Sequence, residues 1–213
     1  MTPSTASPPL GRRERRKESR PAELLQAALD LFVEHGFAAT RLEDIAARAG
    51  VSKGTLYLYF SSKQDLFEAL VRRTLLPLIE RFRLETSASE LPSIELIERA
   101  LRGWWSDFGG TRLAGLAKLV VAEAGNFPDV ARFFDEEIVR PTHELLGAIV
   151  RRGIARGEFR AVDVDAAVYL WISPLALKAI WTHALPQASR LDPERLIAVH
   201  LDLIRCALRT DTR

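Results

Sequence analysis

Residues 40–63 read Thr40-Arg-Leu-Glu-Asp-Ile-Ala-Ala-Arg-Ala-Gly50-Val-Ser-Lys-Gly-Thr-Leu-Tyr-Leu-Tyr-Phe60-Ser-Ser-Lys63, and this stretch decides the fold. Thr40 followed by Glu43 has the spacing of a capping box, which predicts a helix start. Leu42, Ile45, Ala46 and Ala49 then fall at i, i+3, i+4 and i+7, a single apolar stripe. Gly50 suits the positive φ that ends a helix, Val51 buries in the corner, and Ser52 caps the next helix. That second helix, from Lys53 to Tyr59, is too short to stand alone and must be held by inward anchors at Leu56 and Phe60. Ser62 and Asp65 repeat the capping spacing and open a third helix.

Two residues in this stretch fit poorly with a merely structural role. Gly54 sits in a first helical turn, where glycine costs about 1 kcal/mol against alanine. Lys63 sits in another first turn, where a cation opposes the helix dipole. Both misfits disappear if a phosphate strand approaches, so the pair of helices reads as a helix-turn-helix with an exposed edge of hydroxyls, amides and lysines. Such an edge can hold phosphates while a helix end enters a DNA major groove. A bare corner between packed helices is the competing reading, and the hydrophilic Ser-Lys-Gly-Thr edge argues against it.

The residues Ala27-Ala-Leu-Asp-Leu-Phe32, Gly36-Phe37, Thr40, Ile45-Ala46, Ala49-Gly-Val-Ser-Lys-Gly-Thr-Leu-Tyr57, Tyr59-Phe60, Ser62-Lys63 and Leu66-Phe67 carry a further message. Residues 20–70 resemble the N-terminal DNA-binding domain of the TetR/AcrR family of bacterial transcriptional regulators. The resemblance implies a homodimer on a roughly palindromic operator, with a small-molecule effector bound elsewhere. It implies DNA contacts from Thr40, Ser52, Lys53, Gly54, Thr55, Tyr57, Tyr59 and Lys63. Of these, Thr40, Tyr57, Tyr59 and Lys63 would meet mainly phosphates, and Lys53, Gly54 and Thr55 would lie nearest base edges. Two positions depart from the common pattern. Arg41 replaces a small hydroxyl residue and is a candidate phosphate contact, while Leu58 either meets a thymine methyl or touches nothing.

The 213 residues and 47% hydrophobic content suit one or two globular domains with a substantial core. A single cysteine, Cys206, excludes an intramolecular disulfide and a cysteine metal cluster. The N-terminus runs into charges without an apolar stretch, so no secretory leader is read and a cytoplasmic protein is expected. Val164 to Trp181 is the longest apolar region, but Asp165, Pro174 and Lys178 interrupt it, so no membrane span is expected. The formal net charge is only +2. Its distribution is more telling, because Gly11 to Arg20 holds six basic and two acidic residues. A basic arm there can follow phosphates or enter the minor groove.

We therefore expect an all-α protein of nine or so helices in three parts: residues 1–19 a disordered basic arm, 20–70 the helix-turn-helix domain, and 71–213 a domain for ligand binding and dimerisation. The first domain should pack Leu25, Ala28, Leu29 and Phe32 behind the reading pair. A long fourth helix should run from Lys63 towards Glu85 with a bend near Pro77. The aromatic and polarisable residues Trp104, Trp105, Phe108, Phe133, Phe134 and His143 are candidates for the wall of a mostly apolar effector pocket. Leu170, Trp171, Leu175 and Trp181, with Leu196, Val199 and Leu203 in the last helix, offer more apolar surface than one core needs and are candidates for a four-helix dimer interface.

Enzymatic readings find little support. A carboxylate-bridged metal oxidase needs Glu-x-x-His pairs, and none of His35, His143, His183 or His200 has Glu three residues before it. No Gly-rich phosphate loop or Asp-rich diphosphate site is present, and no metal or cofactor is expected. A ligand-independent architectural DNA-binding protein is the other alternative, and only the aromatic-rich second domain argues against it.

Overall fold

The computed structural model describes residues 12–185 and 190–209. Among these the regular elements are all helical. They are α1 (Arg12–Ala39), α2 (Leu42–Arg48), α3 (Lys53–Tyr57), α4 (Lys63–Thr74), α5 (Leu76–Ser87), α6 (Ser93–Trp104), α7 (Ala114–Glu123), α8 (Pro128–Phe134), α9 (Arg140–Ala155), α10 (Val164–Ala184) and α11 (Pro193–Leu208). A π-helical turn, Trp105–Gly109, prolongs α6, and a second, Asp135–Val139, joins α8 directly to α9. Counting α4 with α5 and α8 with α9 as continuous rods gives nine among the described residues, as the sequence pattern led us to expect.

One local expectation changes. α1 already begins at Arg12, so a helix occupies the second half of the stretch read as a disordered arm. Arg, Glu and Lys are good helix formers, and their alternation here outweighs the polar composition. Residues 1–11 lie outside the described residues. The long fourth helix bends where expected: α4 stops at Thr74 and α5 restarts at Leu76 with Pro77 in its first turn, where proline needs no N–H partner.

The core comes in two pieces whose boundary is not the one expected near residue 70. The first gathers Leu24, Ala28, Phe32, Ile45, Leu56 and Phe67 from the head, together with Leu116, Leu119, Val130, Phe133 and Phe134 from α7 and α8. Phe32, Phe37, Phe67 and Phe133 form a chain of stacked and edge-on rings, with centroids 5.4 to 6.5 Å apart. Gly115 lets α7 lie close against α1, since a Cβ there would stand 2.7 Å from a Val33 methyl. Arg112 bridges the same junction to Glu34 at 2.8 Å and Asp30 at 3.4 Å. The second core packs α6, α9, α10 and α11 around Leu96, Leu101, Val150, Leu175 and Leu201. The head therefore shares its core with α7 and α8, and the expected clean division at residue 71 does not describe the packing.

Glu158 ties the second core together at the start of α6, where its carboxylate accepts the Ser93 N–H at 2.5 Å. Burial opposes ionisation of Glu158, but the Ser93 hydrogen bond and the Arg156 and Arg152 charges more than offset it and hold the carboxyl below its ordinary 4.5. A lowered folded value means that this stability is present above the ordinary carboxylate range and is lost as pH falls through the folded value. Glu158→Gln should cost about 1 kcal/mol at pH 7, as loss of a helix cap does. The difference from wild type in urea denaturation should shrink towards zero as pH falls through the lowered folded value of Glu158.

Candidate nucleic-acid interface

The helix-turn-helix forms as its sequence requires. Ile45, Ala46, Leu56 and Phe60 are buried, Leu42, Ala49 and Val51 are packed against them, and Gly50 takes φ +66° at the corner. Ser52 caps α3, its Oγ accepting from the Thr55 N–H at 3.1 Å while the two hydroxyls lie 2.9 Å apart. Ser52, Lys53, Gly54 and Tyr57 are exposed along one edge, with Thr55 half-buried among them. A Cβ on Gly54 would meet only Ser52 Oγ, at 3.9 Å, so nothing inside the protein demands glycine there. Arg41 is exposed at the start of α2, Tyr59 is half-buried against the head core, and Leu58 is 82% exposed.

Thr40 and Lys63 both find partners within the protein. Thr40 is only 2% exposed, and its hydroxyl proton is shared between the Gly36 and Leu31 carbonyls at 2.7 and 3.1 Å. Arg41, not Thr40, precedes α2, without a side-chain cap. The Thr-x-x-Glu spacing was matched by chance, because Gly36 at φ +83° breaks α1 and leaves a carbonyl that the hydroxyl satisfies better. Lys63 donates to the carbonyls of Phe37 at 2.5 Å, Thr40 at 3.0 Å and Ala38 at 3.1 Å. Its ammonium has three donors, and all three are used. The cation opposes the dipole at the start of α4 but favours the frayed end of α1, which resolves the misfit seen in the sequence. Burial draws its pKa below the ordinary 10.5, against the charge of Glu123. Lys63 also lies 4.6 Å from the Phe37 ring centre.

Lys53 pairs with Glu43 across the turn and stands 5.8 Å from the Tyr57 ring centre. The pairing holds the Glu43 carboxyl below its ordinary range and raises the Lys53 ammonium above its own. The sequence pattern casts Glu43 as the acid of a capping box, whereas in the fold its carboxylate pairs with Lys53. The acid ten residues before Lys53 faces it only once the turn has folded.

A cavity of about 360 Å³ lies between α5, α6, α9 and α10. Leu75, Phe82, Leu101, Trp104, Phe108 and Ile138 supply much of its apolar wall, and Arg81, Glu85, Arg99, Asp107 and Thr142 its polar groups. Arg81 and Asp107 form an ion pair across it. Of the six expected wall residues, Trp104 and Phe108 are in place. Trp105 packs beside Trp104 on the second core, and Phe133 and Phe134 are buried in the first. His143 stacks edge-on with Tyr169 rather than lining the cavity. No local pattern marks Arg81 and Asp107, which lie 26 residues apart on separate elements.

The apolar face of α10 and α11 is divided in the same way. Leu170, Trp181, Val199 and Leu203 are exposed and Leu196 is half-buried, whereas Trp171 and Leu175 face the second core and leave the expected interface. Helical geometry explains it, since positions 171 and 175 lie one turn apart on the side opposite 170 and 177. By length and composition α10 alone among the described helices could cross a membrane, with 28% of its most apolar window buried.

Comparison with known proteins gives the geometry a family. Residues 24–70 match the model of bacterial regulatory proteins of the tetR family, and residues 97–199 match that of the tetracyclin repressor-like C-terminal domain. The HTH-type transcriptional repressor KstR2 of Mycolicibacterium smegmatis is 32% identical over 177 residues, covering 81% of this chain and 79% of that protein. Among solved structures, the regulator FadR from Bacillus subtilis in complex with stearoyl-CoA superposes with a TM-score of 0.76 at 23% identity, over 88% of this chain and 99% of that one. The flavonoid-responsive regulator FrrA superposes with a TM-score of 0.63 at 26% identity, over 92% of this chain and 100% of that one. With a helix-turn-helix whose polar edge is exposed and matches to both halves of the family architecture, the chain belongs to the tetR family of bacterial regulatory proteins, as a DNA-binding transcriptional regulator.

Proposed function

We propose that the protein is a cytoplasmic, homodimeric repressor that leaves a palindromic operator when its cavity takes up an amphiphile with an apolar chain and an anionic head. The observation that carries this reading is the cavity's position. Leu75 is buried in the head core and also lines the cavity. Ile138, on another wall, sits on the π-turn that follows Phe133, and Phe133 packs on Phe67 of the head. Anything that widens the cavity therefore pushes on two elements that position the reading helices.

The lining suits the proposed effector class. Its walls are apolar, its volume is in the range of small-molecule sites, and Arg81 and Arg99 place guanidinium groups beside it. The stearoyl-CoA bound by the FadR structure is a ligand of this kind. DNA contacts would come from Arg41, Ser52, Lys53, Gly54, Thr55, Tyr57 and Tyr59. Turning a 99:1 population into 1:99 needs about 5.5 kcal/mol of differential affinity, about half from each pocket of a dimer.

Dimerisation would use the exposed face of Leu170, Leu177, Trp181, Val199 and Leu203. A second copy is the economical cover for such a face, because a helix-turn-helix pair must hold its reading helices a fixed number of DNA turns apart. Leu203→Glu leaves the core untouched, since the side chain is 61% exposed. We expect it to sediment as a monomer and to lose at least about 100-fold in operator affinity.

Selection of bound genomic fragments tests the whole proposal. A palindromic sequence should emerge and should be released by acyl-CoA thioesters of some chain length. Enrichment of no sequence, or an operator that no anionic amphiphile releases, would overturn the reading.

A further inference from the structure

Cations on the described side chains of residues 20–63 are almost all engaged within the protein. Arg20 pairs with Glu23 at 2.9 Å, Arg48 with Glu34 at 3.0 Å, and Lys63 is used by three carbonyls. Lys53, the first residue of α3, is held by Glu43 from the first turn of α2. Among these side chains Arg41 and Lys63 form no ion pair, and Lys63 is taken up by the three carbonyls. Of the ion-paired cations, Lys53 is the one that stands on the edge that should meet a polyanion.

The Glu43–Lys53 pair differs from the other two in its place. Arg20 and Arg48 pair with acids of α1, behind the reading surface, whereas Glu43 and Lys53 both project from the first turns of the two helices that make that surface. Their side chains are 50% and 55% exposed, so burial does not force them together, and an exposed pair of this kind is weak enough for a better partner to displace. The N-terminal residues of the second helix in such a motif reach base edges.

Sequence-independent DNA binding grows with the number of free cations that neutralise phosphates, and an acid that occupies one of them subtracts directly from it. We propose that Glu43 is a specificity-determining residue: it withholds Lys53 from phosphates on random DNA and yields it only where base edges offer Lys53 a better contact. On the wrong sequence, breaking the pair exchanges one anion for another with little gain. On the right one, a lysine donating to a purine edge adds contacts that a carboxylate alone cannot match. Glu43 acts through Lys53, and so is a positioning residue.

This inference rests on the DNA-binding reading above, and one experiment separates their failures. Full-length wild type, Glu43→Gln, Lys53→Ala and the double variant are titrated by fluorescence anisotropy with the selected operator and with a random duplex, from 50 to 200 mM salt. Thermal melts confirm that each exposed substitution leaves the fold intact. Glu43→Gln should bind the random duplex roughly fivefold tighter, with a salt slope steeper by about one unit per head in contact. Its operator affinity should gain less, so the specificity ratio narrows. In the Lys53→Ala background the Glu43→Gln gain should largely vanish. Equal gains on both duplexes, no change in slope, or a gain that persists without Lys53 would each overturn the inference. Failure of wild type to prefer any selected duplex would instead overturn the DNA-binding reading itself.

Discussion

Lys63→Ala is expected to destabilise the protein by about 2–3 kcal/mol, because three charge-assisted hydrogen bonds to the end of α1 are lost together. Partial access of solvent to the carbonyls keeps the loss below the sum of three isolated bonds. The effect on DNA should be indirect. Affinity for operator and for random duplex should fall in parallel as the head loosens, with the salt slope of the folded protein unchanged. A phosphate-binding lysine would behave in the opposite way, leaving the urea midpoint in place and lowering the slope by about one unit. Urea denaturation and salt titration on one preparation therefore decide between the two roles.

Gly103→Phe should produce the largest functional change. Gly103 lies on the cavity wall in α6, and a Cβ there meets nothing within 4 Å. The ring should occupy the space an effector needs, raising the effector concentration for half-release of the operator by at least about 100-fold, equivalent to about 2.7 kcal/mol of lost binding. Operator affinity without effector should stay within about threefold of wild type. The fold should not suffer, because replacing a helical glycine recovers up to about 1 kcal/mol of conformational entropy. Release at an unchanged concentration would show that the effector acts elsewhere.

Those two expectations come from opposite ends of what a sequence can reveal. The reading head was legible because its signals are local. The stripe of Leu42, Ile45, Ala46 and Ala49, the glycine at the corner and the cap at Ser52 depend on residues within one or two turns of each other, and each is found as expected. The partners of Lys63 were hidden because they are not local, and those of Thr40 because they depend on a break in α1. The Lys63 acceptors lie 23 to 26 residues earlier, and Thr40 answers a carbonyl exposed by the break at Gly36. A spacing rule evaluates a residue against its own helix, and Lys63 serves a different one.

The cavity and the dimer face show the same limit more strongly. Aromatic residues predict burial but not which core receives them, so Trp104 and Phe108 reached the cavity while Phe133 and Phe134 went to the head. An all-round apolar helix such as α10 tells only that both faces will be covered, and packing decided that Trp171 and Leu175 look inward and Leu170 outward.

By itself the sequence determined the helical class, the helix-turn-helix and the family, because periodicity, capping and turn chemistry act over a few residues and are written in order along the chain. Only the tertiary structure decided that α7 and α8 share the head's core, that Arg81 meets Asp107 across a cavity, and that Glu43 holds Lys53. Each of those pairings joins separate elements, and which elements meet is set by how helices of similar composition pack against one another, not by any residue's neighbours in sequence.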